Sequence, residues 1–570
     1  MQAVLSEQEV LSGSAARSRS RLMWAMVAAA VVLGAVQTFT NRHVMNSDGI
    51  SYLDMGSGLF GGNWKAILNS VWSPMYPALL GLVQSLVKPA PYWEFTLAHV
   101  TTLFTYLLAL AGFTFLLRTL TSYLELQDRT LPARSVTLIG YSLFLWASLV
   151  LIDLATVSPD LLASAFLYTA AGLLLNIRRG RDGWKTYALL GITLGFGFLA
   201  KAPMLPLGLV CLILSVPAAS RRKTGLLGAV IAATLMAIVI LPYGIALSQS
   251  KGRITLGDSA ALNYAWHVNG VPRYHWRGEI AGNGTAAHPS RKILDTPPVY
   301  EFARAAGGTY PLWFDPSYWN EGLRPRIRLG NQLKALYSVS SEYLNLFLGL
   351  QAGVAIGIFA LLFAGGSPRQ VLRNIGHEWV LLGIPLIGLA MYQLVHFEAR
   401  YIAAFLVLLW LGLLAAVRTE ESLSSWRLIH VVPLGIAILL LTRVATYQMG
   451  PTTQEIVNAL RGHGETSHIQ WRVATGLVQM GTQPGDSFAI IKTRPDVYYW
   501  ARLAKAHVVA ELPDAGGAFW YSSRDAQTRV LKALESTGVK GVVAADTPPD
   551  PMSGWRGIGD TGYSVYFFRN

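Results

Sequence analysis

Long apolar runs broken by short polar punctuation dominate the first 446 residues. Runs near 22–40, 95–117, 136–155, 160–177, 186–200, 203–218, 225–247, 343–364, 379–395, 400–417 and 428–446 each approach the roughly 20 residues that cross a hydrocarbon core. As one helix, the stretch 187–216 would be about 45 Å long, too long for a core of about 30 Å. Lys201 and Pro203 interrupt it and predict a hairpin of two short helices. The pattern therefore predicts about eleven spans. Beyond them it changes. "DSFAIIKT" (486–493), "AHVVAEL" (506–512) and "VKGVVAAD" (539–546) read as strands, with helices over 495–504 and 523–537 between them. That alternation predicts a small α/β domain with a partly parallel sheet over 447–570.

Composition agrees with this division. Of 570 residues, 52% are hydrophobic and only 14% charged, the balance of a polytopic membrane protein. The formal net charge of +14 does not point to nucleic acid, because the basic residues cluster in short loops between the apolar runs. Arg118–Arg134, Arg178–Lys185, Arg221–Lys223, Arg369–Arg373 and Arg418–Arg427 all fall on one side if the tail 1–21 is cytoplasmic. The segment 22–446 is then the transmembrane domain, with outer loops 41–94 and 248–341. Residues 447–570 are extracytoplasmic, and the protein sits in the inner (plasma) membrane. Arg17, Arg19 and Arg21 before Leu22–Thr40 resemble a signal peptide. The run is long and lacks a small-residue cleavage site, so a retained anchor is expected. The single Cys211 supports neither a disulfide framework nor a Cys-based zinc site. The C-terminal domain has no GxGxxG after its first strand, and so no nucleotide fingerprint.

The chemistry-bearing residues crowd the outer boundary. "NSDGISYLDMG" (46–56) follows the first span, and "WSPMYPALLGLVQSLV" (72–87) is too short and proline-interrupted to span, which predicts interfacial helices. A carboxylate held between a span and such helices can be tuned for proton abstraction. On a helix Asp48 and Tyr52 share a face, while Asp54 points elsewhere, which separates one base from one supporting acid. Lys201 at the hairpin tip and Arg400 beside Tyr401 are cations at the same boundary, with snorkelling or interfacial anchoring as their bland readings. Asp160 is a substrate or cation partner, or a helix N-cap. Glu398 is a partner for Arg400. The stretch 263–279 concentrates Tyr264, Trp266, His267, Tyr274, His275 and Trp276, a lid of sugar-stacking aromatics or an interfacial belt. His267 and His275 lie eight apart without a third nearby ligand, so no zinc site is expected.

The order of these elements resembles the GT-C membrane glycosyltransferases, and within them the bacterial branch of protein O-mannosyltransferases and the lipid A aminoarabinose transferase. The resemblance rests on Asp48 with Tyr52 in the first outer loop, the "P-x-Y-P" element that includes Tyr76, "SPDLLASAF" (158–166), "LGFGFLAKAPMLPLG" (194–208) and "HFEARYIAAF" (396–405). It implies an enzyme that moves a sugar from a polyprenyl-phosphate donor to an extracytoplasmic lipid, polysaccharide or protein. Asp48 would be its general base, with probable inversion at the anomeric carbon. Tyr52, Asp54, Tyr76, Asp160, Lys201, Tyr264, Trp266, His267, His396, Glu398, Arg400 and Tyr401 would contact substrate. Many relatives carry two adjacent acids where this chain has Asp48-Gly49, so a divalent cation has no support in these residues. A transporter or flippase of lipid-linked glycans is the alternative. It would call for internal repeats and ionisable residues at mid-span. Here the spans are mostly clean of charge, apart from His99 within a span and Asp153 near an end. A receptor or scaffold built around the C-terminal domain would not need so many spans.

Overall fold

The computed structural model describes residues 2–127, 131–303, 307–364, 366–418, 423–460, 468–514, 517–548 and 553–568. The apolar runs form helices: Gln2–Thr40, Pro91–Glu125, Ala133–Trp146 (continued by a wider turn to Ile152), Asp160–Arg178, Trp184–Ala200, Met204–Ala218, Arg222–Lys251, Ala399–Ala415 and Leu423–Leu460. The hairpin at Lys201 is present: one helix stops at Ala200, Lys201 is extended, and the next begins at Met204. One expected span is not straight: the region of 343–364 is divided between Leu329–Leu348 and Leu350–Phe363, bent by 70°. The expected span 379–395 is a single helix, Trp379–Gln393, set at 85° to the preceding Pro368–His377. By length and composition, six described helices can cross a bilayer, or eight if each bent pair is one span.

Alternation of the helices brings the tips carrying residues 48, 160, 201 and 400 to one end of the bundle. The basic runs Arg178–Lys185 and Arg221–Lys223 fall at the other. Two short helices, Ser47–Phe60 and Met75–Val87, cover the first end. They cross at backbone contact: a Cβ on Gly56 would lie 2.5 Å from the Pro77 carbonyl oxygen, and one on Gly81 equally close to that of Gly56. Only glycine permits that approach. His99, which lies within a span, has Nδ1 2.9 Å from the Leu154 carbonyl oxygen and Nε2 2.7 Å from that of Val44, so its ring N–H donates into this pair of acceptors.

Above this end sits one seven-stranded sheet. In chain order its strands are β1 (Arg291–Leu294), β2 (Val299–Glu301), β3 (Ser487–Lys492), β4 (His507–Pro513), β5 (Gly541–Ala545), β6 (Trp555–Gly557) and β7 (Tyr563–Phe567). Their spatial order is β1-β2-β4-β3-β5-β7-β6. β3 is parallel to β4 and β5, and the outer pairs are antiparallel. The three expected strands are β3, β4 and β5, and Arg524–Glu535 is the expected second helix. Two strands of the sheet come from the 248–341 loop, so loop and C-terminal domain form one body. A continuous core joins them to the interfacial helices, with Tyr52, Tyr76, Trp266, Trp313, Trp319, Tyr498 and Trp500 among its members.

Candidate active site

Asp48 lies in the first turn of Ser47–Phe60, where the helix dipole favours an acid. Asn46, just before it, accepts from the Val157 N–H at 2.9 Å and pins the helix start to the turn preceding Asp160. A Cβ on Gly49 would lie 2.6 Å from Met45 Sδ and 3.0 Å from Val157 Cβ. The helix start is thus closely packed against Met45 and Val157 at Gly49.

Four charged groups from four segments converge. Arg400 Nη2 donates to Asp48 Oδ2 at 3.2 Å, while its Nη1 lies 3.7 Å from Asp160 Oδ2. Lys201 Nζ donates to Asp160 Oδ1. Tyr401 lies between the cations: the Lys201 ammonium is 3.8 Å from its ring centroid, the Arg400 guanidinium 5.0 Å, and Arg400 also donates to its hydroxyl at 3.3 Å. Asp160 is 4% exposed, yet its Oδ2 has no hydrogen-bond partner among the described residues. Such an acceptor is costly unless something fills it.

These groups open onto a cavity of about 330 Å³, within the usual range for a small-ligand site. Tyr52, Trp72, Trp266, Trp313, Tyr392 and Tyr401 supply aromatic faces, and Ser73, Ser259 and Asn263 supply neutral polar groups. His267, Arg273, His396 and Glu398 form its rim. The His267 and His396 rings stack at 3.5 Å, and Arg273 donates to His267 Nε2 at 3.0 Å. Burial, with His396 and Arg273 adjoining, brings His267 down to about 3, so it is neutral at neutral pH. Its His396 partner holds Glu398 below the usual carboxylate range. Burial pushes the Tyr52 phenol well up, leaving it a neutral hydroxyl beside Asp48.

Of the residues singled out from the sequence, Asp48, Tyr52, Asp160, Lys201, Trp266, His267, His396, Glu398, Arg400 and Tyr401 line this one cavity. Three do not. Asp54 accepts from the Thr309 N–H (2.7 Å), the Thr309 hydroxyl (2.9 Å) and Arg502 Nη1 (2.9 Å), which makes it a tie to the outer body. Tyr76 is buried and shares a hydrogen bond of 2.8 Å with the Thr102 hydroxyl. Tyr264 donates to Gln332 Oε1 at 2.9 Å. Two pairings also differ from expectation. Glu398 pairs with His396 (3.3 Å) rather than with Arg400, and Asp160 follows its N-cap, Pro159, turning its side chain to the cations. Of the expected aromatic lid, Trp266 and His267 reach the cavity, whereas His275 bonds Glu511 in the outer body.

Sequence reasoning missed Trp313. Its indole Nε1 donates to Asp48 Oδ1 at 3.0 Å, from 265 positions away. The available signal was local: "YPLWFDPSYW" (310–319) holds two proline-started helical turns, Pro311–Phe314 and Pro316–Trp319. Asp315 caps the second by accepting from Ser317 and Tyr318. Among the described residues no three His, Cys, Asp or Glu side chains gather as a metal-ligand set.

No known family profile matches this sequence, and no curated protein matches it. Solved structures do. ArnT from Cupriavidus metallidurans in the apo state has 13% identity and a TM-score of 0.50, covering 96% of this chain and 98% of its own. The same protein bound to undecaprenyl phosphate gives 14% identity and 0.49, with coverages of 95% and 96%. The Archaeoglobus fulgidus oligosaccharyltransferase in complex with Zn and sulfate gives 13% and 0.45, over 91% of this chain and 68% of its own. At such identity the apo ArnT likeness shows the fold alone: this chain shares the overall architecture of that structure along nearly its whole length.

Proposed function

We propose that the protein is a membrane glycosyltransferase that moves a sugar from a polyprenyl-phosphate donor to an acceptor outside the cytoplasm. Eleven spans, a cytoplasmic N-terminus and a periplasmic outer body belong to this reading. The observation that carries it is the convergence of Lys201 and Arg400 with Asp48 and Asp160 on one aromatic-walled cavity at the membrane end of the bundle. The donor phosphate draws Lys201 and Arg400 to itself, and they stabilise its charge as the sugar C1–O bond breaks. Asp48 Oδ2, relieved of Arg400, takes the proton of the acceptor hydroxyl as that oxygen attacks C1 from the opposite face. The sugar leaves with inverted configuration, the proton rests on Asp48, and the polyprenyl phosphate leaves as an anion. A donor hydroxyl fills the open lone pair of Asp160 Oδ2, and the Trp72 and Trp266 rings cover the sugar. In the resting state Arg400 masks the base, so the donor phosphate itself arms the site.

Purified protein in lipid nanodiscs, given polyprenyl-phosphate sugars and a panel of lipid, glycan and peptide acceptors, tests the reading. Transfer by the wild type and its loss in Asp48→Asn are expected. Unchanged transfer by Asp48→Asn would sink it. A flippase of lipid-linked glycans would instead move donor across the bilayer without consuming it.

A further inference from the structure

Asp48 makes two hydrogen bonds of different standing. The one to Arg400 is exchangeable, because a phosphate competes for the guanidinium. The one to Trp313 comes from a neutral N–H that no anionic ligand can neutralise and that surrounding bonds hold in place. The Trp313 carbonyl accepts from the Ser51 hydroxyl (3.0 Å), one turn after Asp48, and from Trp72 Nε1 (3.2 Å). Its ring lies 5.9 Å from Trp266, 5.5 Å from Trp72 and 5.3 Å from Tyr274, and is 8% exposed. Behind it stands a sealed charge cluster of the outer body. The Lys492 ammonium is 4.0 Å from the Tyr274 ring centroid and donates to the Tyr310 hydroxyl at 2.8 Å. Tyr310 in turn donates to Glu511 at 2.6 Å, and His275 bonds the other Glu511 oxygen at 2.9 Å. The outer body also grips the helix that bears Asp48, through Tyr499 on Ser47 (3.0 Å) and Arg502 on Asp54 (2.9 Å).

From this geometry we infer that Trp313 is the positioning residue for the base, and that the outer body serves the reaction by holding both ends of the Trp313–Asp48 bond. The inference rests on the reading of Asp48 as base. The indole fixes Oδ1, so that Oδ2 alone changes partner, from Arg400 to the acceptor hydroxyl. A carboxylate tethered by one oxygen keeps its second lone pair aimed at the substrate instead of rotating with each release of Arg400. Phenylalanine at 313 would keep an aromatic wall and remove the tether.

Trp313→Phe, assayed in nanodiscs with the donor and acceptor that the wild type uses, tests this. Expected are a kcat roughly 10- to 100-fold lower, the scale of a hydrogen bond to a charged group, and a donor KM within about twofold of wild type. A merely structural tryptophan would instead lower the melting temperature or raise the donor KM along with the loss of kcat. Tyr310→Phe, which leaves Trp313 in place and removes both hydrogen bonds of the Tyr310 hydroxyl in the cluster behind it, gives a smaller loss of kcat with donor KM again unchanged. Wild-type kcat in Trp313→Phe, or a lower kcat that only follows a lower melting temperature or a raised donor KM, would overturn the inference while leaving Asp48 its role. Retained activity in Asp48→Asn would remove the underlying reading instead.

Discussion

Two charged clusters lie on either side of Trp313, and they are built to opposite ends. In the outer body Glu511 is 1% exposed and every partner is in place: His275, Tyr310 and Lys492. Burial alone would raise its carboxyl, but Lys492, His275 and Tyr310 together bring it down to about 2. The cavity cluster is open and incompletely paired. Asp160 keeps an unfilled acceptor, and Arg400 divides itself between two carboxylates at 3.2 and 3.7 Å. A fully satisfied buried network holds one arrangement. A cluster with loose ends in a cavity is arranged to exchange partners with a ligand. The sealed cluster is structural, and the open one is where chemistry belongs.

That contrast can be broken experimentally. The largest effect belongs to the open cluster: Asp48→Asn lowers kcat by about 10²- to 10⁴-fold, the range of general-base catalysis, with little change in melting temperature. Radiolabelled sugar transfer and calorimetry on the same preparation check both halves. Arg400→Lys keeps the charge but loses the two-pronged guanidinium, and should cost about 10- to 100-fold in kcat/KM. Next come the structural acids. Glu511→Gln leaves Lys492 unpaired and should destabilise the outer body by about 2–4 kcal/mol. Any loss of activity should follow that unfolding. Acid should act on the same body. Because the folded Glu511 value is depressed, its stabilisation is complete above its ordinary value near 4.3 and is lost as pH falls toward about 2. Circular dichroism of the sheet against pH should therefore show the Glu511→Gln variant losing less stability than wild type over that window. The smallest catalytic effect belongs to Asp54→Asn. It should lower the melting temperature through Thr309 and Arg502 and leave kcat within about threefold of wild type, since Asp54 lies off the cavity.

The same division explains what the sequence discloses. Periodicity within one helix separated Asp48 from Asp54, and the structure keeps them on different partners. Lys201 and Pro203 in an apolar run revealed a hairpin because both disfavour continuing a helix through a bilayer. The strands β3, β4 and β5 carried short apolar runs bounded by turns. Trp313, Arg502 and strands β1 and β2 left no such trace. The roles of Trp313, Arg502 and β2 come from contacts more than two hundred positions apart, with β1 added to the edge of β2, and a loop tryptophan looks the same whether it anchors an interface or holds a carboxylate. Asp54, Tyr76 and Tyr264 were misplaced for the mirror reason: proximity in sequence to the site does not say which way a side chain turns.

The most direct test of the account is a structure with polyprenyl phosphate bound. It should place the phosphate within hydrogen-bond reach of both Lys201 and Arg400, with Arg400 drawn off Asp48 Oδ2 and Trp313 still on Oδ1. A phosphate seated at the opposite end of the bundle, beside the basic runs at 178–185 and 221–223, would contradict it.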